Sequence, residues 1–120
     1  MCLAYEDEAD LDALSPSEWD TLRKETVDYV DSLRASGRLV ATHALQSKRT
    51  AATVRVRGGQ RLVTDGPFAE AKELVGGYFL IEARDRDEAL AIAARWPSAR
   101  FGAIEVRPID EVLREDKRYV

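Results

Sequence analysis

Two helix-start signals punctuate this chain, and nearly every apolar run around them reads as strand. Ser15-Pro16-Ser17-Glu18 offers Ser15 as N-cap, Pro16 at the first helical position and Glu18 to close a capping box. Trp19, Leu22, Tyr29, Val30 and Leu33 follow at helical spacing, with Thr26 filling the stripe, and Gly37 stands where a C-terminal cap belongs. The spacing predicts a helix over about residues 16–36. Asp85 with Glu88 opens a second helix whose stripe is Ala89, Ile92, Ala93 and Trp96, ended by Pro97.

The remaining segments alternate as strands do. Cys2–Glu6 reads as a first strand, followed by an acidic loop over Asp7–Leu14. Leu39–Gln46 is a second strand. Ala51–Arg57 sets Val54 and Val56 against Thr53, Arg55 and Arg57, the pattern of a half-buried strand. Gly58-Gly59 is a hairpin turn, and Gln60–Asp65 is the return strand. Asp65-Gly66-Pro67 then re-aims the chain, with a helical turn expected through Glu73. Gly76-Gly77 reads as a turn before a central apolar strand, Tyr78–Ala83, and Ile104–Arg107 is the last strand, stopped by Pro108.

The order is β-α-β, a hairpin, then β-α-β. That order predicts an α+β, ferredoxin-like sandwich: an antiparallel sheet with both helices on one face. Such a sheet leaves its second face uncovered. The second strand places Leu39, Ala41, His43 and Leu45 on one face and Val40, Thr42, Ala44 and Gln46 on the other, and neither set suits water. Tyr78–Ala83 is apolar on both faces too. Burial on both faces with helices on one predicts a homodimer whose sheets enclose a dimeric α+β barrel.

Composition bounds the rest. The 120 residues make one domain, 45% hydrophobic, with net charge −4, which argues against direct nucleic-acid binding. Cys2 is the one cysteine and His43 the one histidine, so no disulfide or Cys/His metal cluster is signalled, and neither metal nor cofactor is implied. No phosphate loop, dinucleotide fingerprint or nucleophile elbow occurs. With no leader pattern and no membrane-length apolar run, the default compartment is the cytoplasm. Charge is uneven: seven acids and no base from Glu6 to Asp20, and five bases (Lys48, Arg49, Arg55, Arg57, Arg61) and no acid from Lys48 to Arg61. These are two solvated faces or, on the sharper reading, a basic hairpin that meets an anion or an acidic partner.

Several motifs in order carry a family resemblance: Tyr5-Glu6-Asp7, Ser36-Gly37-Arg38-Leu39, Ala44-Leu45-Gln46, Thr53-Val54-Arg55, Thr64-Asp65-Gly66-Pro67-Phe68-Ala69-Glu70 with Lys72-Glu73, Gly77–Glu82 and Ile104–Pro108. On these residues the chain resembles the DGPF branch of the YCII-related superfamily. The likeness covers about residues 2–109, so 1–109 is the expected domain and 110–120 a charged tail of the same domain. The resemblance implies a dimeric α+β barrel, no settled reaction, and an association with extracytoplasmic-function sigma factors. The superfamily's proposed catalytic pair is a His on the first helix and an Asp after the second. Here the first helix has no His, and Trp96 stands where that Asp would be.

The candidate residues each have two readings. Asp65 accepts backbone N–H groups to hold the turn, or is presented into the dimer cleft as a general base. His43, of the side-chain type that titrates near neutrality, is a satisfied interior residue or Asp65's partner. Glu70 and Lys72 belong to a solvated turn or gate the cleft, with Lys72 neutralising an anionic ligand. Tyr78 and Tyr5 pack on strands or supply hydroxyls to the cavity, while Trp19 and Trp96 read as core. Two functions follow: binding or acid–base turnover of a small polar or anionic metabolite in the dimer cleft, and a regulatory module that meets a sigma factor. The first is preferred, because an interior holding several ionisable groups is costly to keep without use.

Overall fold

A computed structural model describes residues 1–111 of the chain, so the expected tail lies outside the described residues from 112 onward. The elements are β1 (Cys2–Glu6), α1 (Glu8–Asp12), α2 (Pro16–Ala35), β2 (Leu39–Ala44), β3 (Ala52–Arg57), β4 (Gln60–Asp65), β5 (Leu74–Ile81), α3 (Arg86–Ala94) and β6 (Ala103–Val106). Four strands form an antiparallel sheet in the order β2-β5-β1-β6, while β3 and β4 pair only with each other in a second sheet. This is the ferredoxin-like arrangement, with a hairpin inserted between its second and third strands.

Both helix starts form as their sequences dictate. Ser15 Oγ accepts from Glu18 N at 3.2 Å and Glu18 Oε1 accepts from Ser15 N at 3.0 Å. At α3, Asp85 Oδ1 accepts from Glu88 N at 2.8 Å, but Glu88 reaches back to Arg84 N rather than completing the box on Asp85. Glu88 also pairs with the guanidinium groups of Arg38 and Arg84.

The core lies between this sheet and its helices. Phe79 and Cys2 are wholly buried, and Phe79 stacks on Trp96 with ring centroids 3.9 Å apart. Tyr29 and Leu33 come from α2 and Ala93 from α3, and the Tyr29 hydroxyl donates to Ile92 O at 2.7 Å, tying the two helices together. Leu39, Ile81, Ile104 and Val106 close the cluster from the strands.

Five local expectations are corrected. The acidic loop contains α1, because Asp7 accepts from Ala9 N at 3.0 Å and caps a helical turn. Gly76-Gly77 lies inside β5, which starts at Leu74 and ends at Ile81. The glycines serve close approach there: a Cβ at Gly76 would overlap the Glu6 carboxylate, and one at Gly77 would sit 3.0 Å from His43 O. No helical turn forms between Gly66 and Glu73, where bends run through exposed side chains with no apolar stripe to bury. Trp19 is 36% exposed rather than core, with its indole donating to Leu11 O at 3.1 Å. Leu39 also leaves the face of Ala41 and His43: an irregularity between Leu39 and Ala41 turns Leu39 into the core.

The hairpin departs furthest from expectation. Alternation over Ala51–Arg57 predicts a half-buried strand, yet Val54 and Val56, like Leu62 and Val63 on the return strand, are exposed, Val56 at 61%. The hairpin stands off the main sheet as an arm, and the radius of gyration is 16.8 Å, against about 13.5 Å for a compact chain of this length.

Phe79→Ala removes the ring that joins the sheet to Trp96. The expected cost is about 3–5 kcal/mol, read from chemical denaturation of the variant against wild type.

Candidate functional site

Alternation along the strands separates two chemistries. Cys2, Ala4, Phe79 and Ile81 point toward the helices, so Leu3, Tyr5, Tyr78 and Leu80 point away, onto a face that no helix among the described residues covers. On that open face His43 stands directly opposite Tyr78. His43 Nδ1 and the Tyr78 hydroxyl are 2.7 Å apart, and the rings tilt together at 5.5 Å between centroids. Further along, the Tyr5 hydroxyl donates to Glu105 Oε2 at 3.1 Å, and that bond, more than burial or charge, holds the phenol above its usual pKa. Three of the residues singled out from sequence, His43, Tyr78 and Tyr5, thus share one surface.

Asp65 does not join them. It ends β4 opposite Ala52, is exposed, and its side chain makes no hydrogen bond or ion pair among the described residues. The turn after it is held otherwise: Gly66 N donates to Ala51 O at 2.7 Å and Thr53 Oγ1 donates to Gly66 O at 2.9 Å. Gly66 takes φ 101°, which a side chain there would strain, so the glycine rather than the aspartate shapes the turn. His43's partner within the protomer is Tyr78, not Asp65. Glu70 and Lys72 border a shallow recess with Lys48, Arg49, Gly66 and Pro67. Lys72 Nζ reaches only to 3.9 Å from Asp7 Oδ2 and is 84% exposed.

Sequence reasoning took the carboxylates where β1 ends only as part of an acidic face, solvated or meeting a partner, yet their environments differ sharply. Glu6 is half-buried against Gly76, and burial first, then the charge of Glu8, raises its carboxyl above the usual range. Glu8 accepts from Lys48 N at 2.5 Å and from Ser47 Oγ at 2.9 Å, and those bonds pull its carboxyl down. Neighbouring carboxylates pushed apart in this way are the raw material of acid–base work. The signal in the sequence was Gly76-Gly77, since paired glycines inside an apolar strand mark a close approach. Cys2 is buried, and burial raises its thiol, which makes it a poor nucleophile. Among the described residues no three His, Cys, Asp or Glu side chains converge on a metal-sized site, and no helix is long and apolar enough to cross a membrane.

Fold and surface together define a ferredoxin-like α+β domain with an open sheet face and an inserted arm. The chain belongs to the YCII-related family: residues 1–113 match the YCII-related domain. It is also similar to the uncharacterized protein R00369 of Rhizobium meliloti (strain 1021), with 35% identity over 109 residues, 89% of this chain and 88% of that protein.

The two carboxylates give opposite pH signatures. Glu6, raised by folding, favours the fold at low pH and loses that contribution as pH rises through its folded pKa. Glu8, lowered by folding, contributes above its unfolded pKa and loses that as pH falls through its folded value. Glu6→Gln is therefore expected to melt above wild type at pH 7, and Glu8→Gln below it, with both differences shrinking toward pH 4 in thermal melts.

Proposed function

We propose that the protein works as a homodimer closed over the open sheet face, and that the enclosed cleft binds a small polar or anionic metabolite. His43 and Tyr78 act there as the acid–base pair. The observation that carries this reading is the open face itself, where Leu3 and Leu80 flank a histidine–tyrosine hydrogen bond over which no described helix packs. A face mixing apolar side chains with a few convergent polar groups is what ligand sites are made of. The exposed arm supports the same assembly, because an isolated two-stranded hairpin is marginally stable in water and gains from a neighbour.

Asp65 makes no side-chain hydrogen bond or ion pair among the described residues and closes the base of the arm. In the proposed dimer it enters the cleft of the second copy, where withdrawal from water makes it a better base. Lys72, with Glu70 beside it at the rim, meets the anionic end of the ligand.

A second reading, an interaction module for an extracytoplasmic-function sigma factor, draws on the bases of the arm and the acids from Glu6 to Asp20. Its mark is a salt-sensitive complex with a sigma factor encoded beside it, lost on charge reversal at Arg55 and Arg57.

Light scattering is expected to give a dimer mass for wild type and a monomer for Leu80→Asp, which puts a charge on the open face; a monomeric wild type rejects the reading. A metabolite held at a hundred times its Kd stabilises the fold by about 2.7 kcal/mol. Across a panel of small carboxylates and phosphates that stabilisation is expected to vanish in His43→Ala, weaken in Tyr78→Phe, and vanish in Asp65→Asn while the variant still unfolds cooperatively.

A further inference from the structure

On the other side of the sheet, between α2 and the strands, lies a cleft of about 400 Å³ with a mostly apolar lining. Trp19, Leu22 and Thr26 form one wall, Gly76 and Gly77 the other, and Trp96 lines it as well. Glu6 is the carboxylate on its surface. Two features of β5 put it there. The register between β1 and β5 shifts after Ala4, placing an extra residue, Gly76, opposite the strand end. Gly76 has no Cβ, and the Glu6 side chain lies across the space a Cβ would take.

Glu6 differs from its neighbours in having no counterpart. Asp7 caps α1, and Glu8 is satisfied by Ser47 and Lys48. The Glu6 carboxylate makes no hydrogen bond or ion pair among the described residues, although it is half-buried and feels the charge of Glu8. The basic side chain on the cleft wall, Arg23, is engaged instead by Asp20 at 2.7 Å. A half-buried carboxylate beside a second carboxylate favours a cation that brings hydrogen-bond donors. The two indoles and Leu22 supply apolar surface beside it. The remaining wall asks for an apolar body.

We infer that this cleft is a binding site for a small amine with an apolar body, its ammonium group held by Glu6 and its hydrocarbon part by Trp19, Leu22 and Trp96. His43 and Tyr78 border this cleft as well as the open face, but the carboxylate that carries the inference is Glu6, which the proposed dimer cleft does not use.

The test uses the intact protein and three probes that share a phenyl ring on a short alkyl chain: 2-phenylethylamine, 3-phenylpropionate and 3-phenylpropanol. Trp19 and Trp96 are the chain's two tryptophans and both line the cleft, so intrinsic fluorescence reports on it directly, with calorimetry as the second readout. The amine is expected to bind saturably and at least about tenfold tighter than the carboxylate or the alcohol, as a charge-assisted hydrogen bond requires. Glu6→Gln is expected to erase that preference while leaving weak binding of the alcohol and a cooperative melt. Glu6→Asp, which keeps the charge, is expected to retain part of the preference and guards against a folding artefact in the first variant. Equal affinity for amine and carboxylate, an amine preference that survives Glu6→Gln, or no saturable response to phenylethylamine, cyclohexylamine and hexylamine overturns the inference.

Discussion

The stack of Phe79 on Trp96 is the contact on which the rest of this architecture depends. It joins the central strand β5 to the segment that follows α3, and Tyr29 of α2 meets the same indole edge-on at 6.0 Å. One aromatic cluster therefore holds both long helices on one face of the sheet. Because strand side chains alternate, fixing Phe79 inward fixes Tyr78 and Leu80 outward. The open face and its His43–Tyr78 pair are thus a geometric consequence of where the core was built.

The glycine pair in β5 does for the helix side what that stack does for the open side. A bulge inserts one residue, removes two side chains and lets Glu6 fold across the strand. The carboxylate is left half-buried and, among the described residues, without a partner, which costs stability. Chains that keep such an arrangement do so most readily where something binds, and the aromatic cleft beside Glu6 is where the proposed amine would sit.

The arm poses the complementary problem. Its strands satisfy each other's backbone groups, but its valines and Leu62 face water, and Phe68 is 77% exposed with only the Arg55 guanidinium over its ring at 5.4 Å. Alternation in the sequence correctly marked these residues as strand. The inference of half-burial assumed that a sheet or helix of the same chain would lie over them, and among the described residues none does. The exposed apolar arm and the uncovered sheet face both call for cover from outside the protomer, and the proposed second copy supplies it for both.

The chain's own order of residues determined the helices at Ser15 and Asp85, the strand pairing at Gly58-Gly59 and the α+β class, because caps, turns and periodicity act over a few neighbours. It also marked His43, Tyr78 and Tyr5 as worth attention. Only the tertiary structure could decide their grouping: the pairing of β1 and β2 on either side of β5 puts these three on one face, while Asp65 closes the base of the arm opposite Ala52 and makes no bond to His43. The environment of Glu6 could not be read from its own neighbours, since it is made by Gly76, 70 positions along the chain, as well as by the charge of Glu8. Local signals read backbone preference well. Register shifts and burial arise from contacts between distant segments, and those exist only once the sheet has formed.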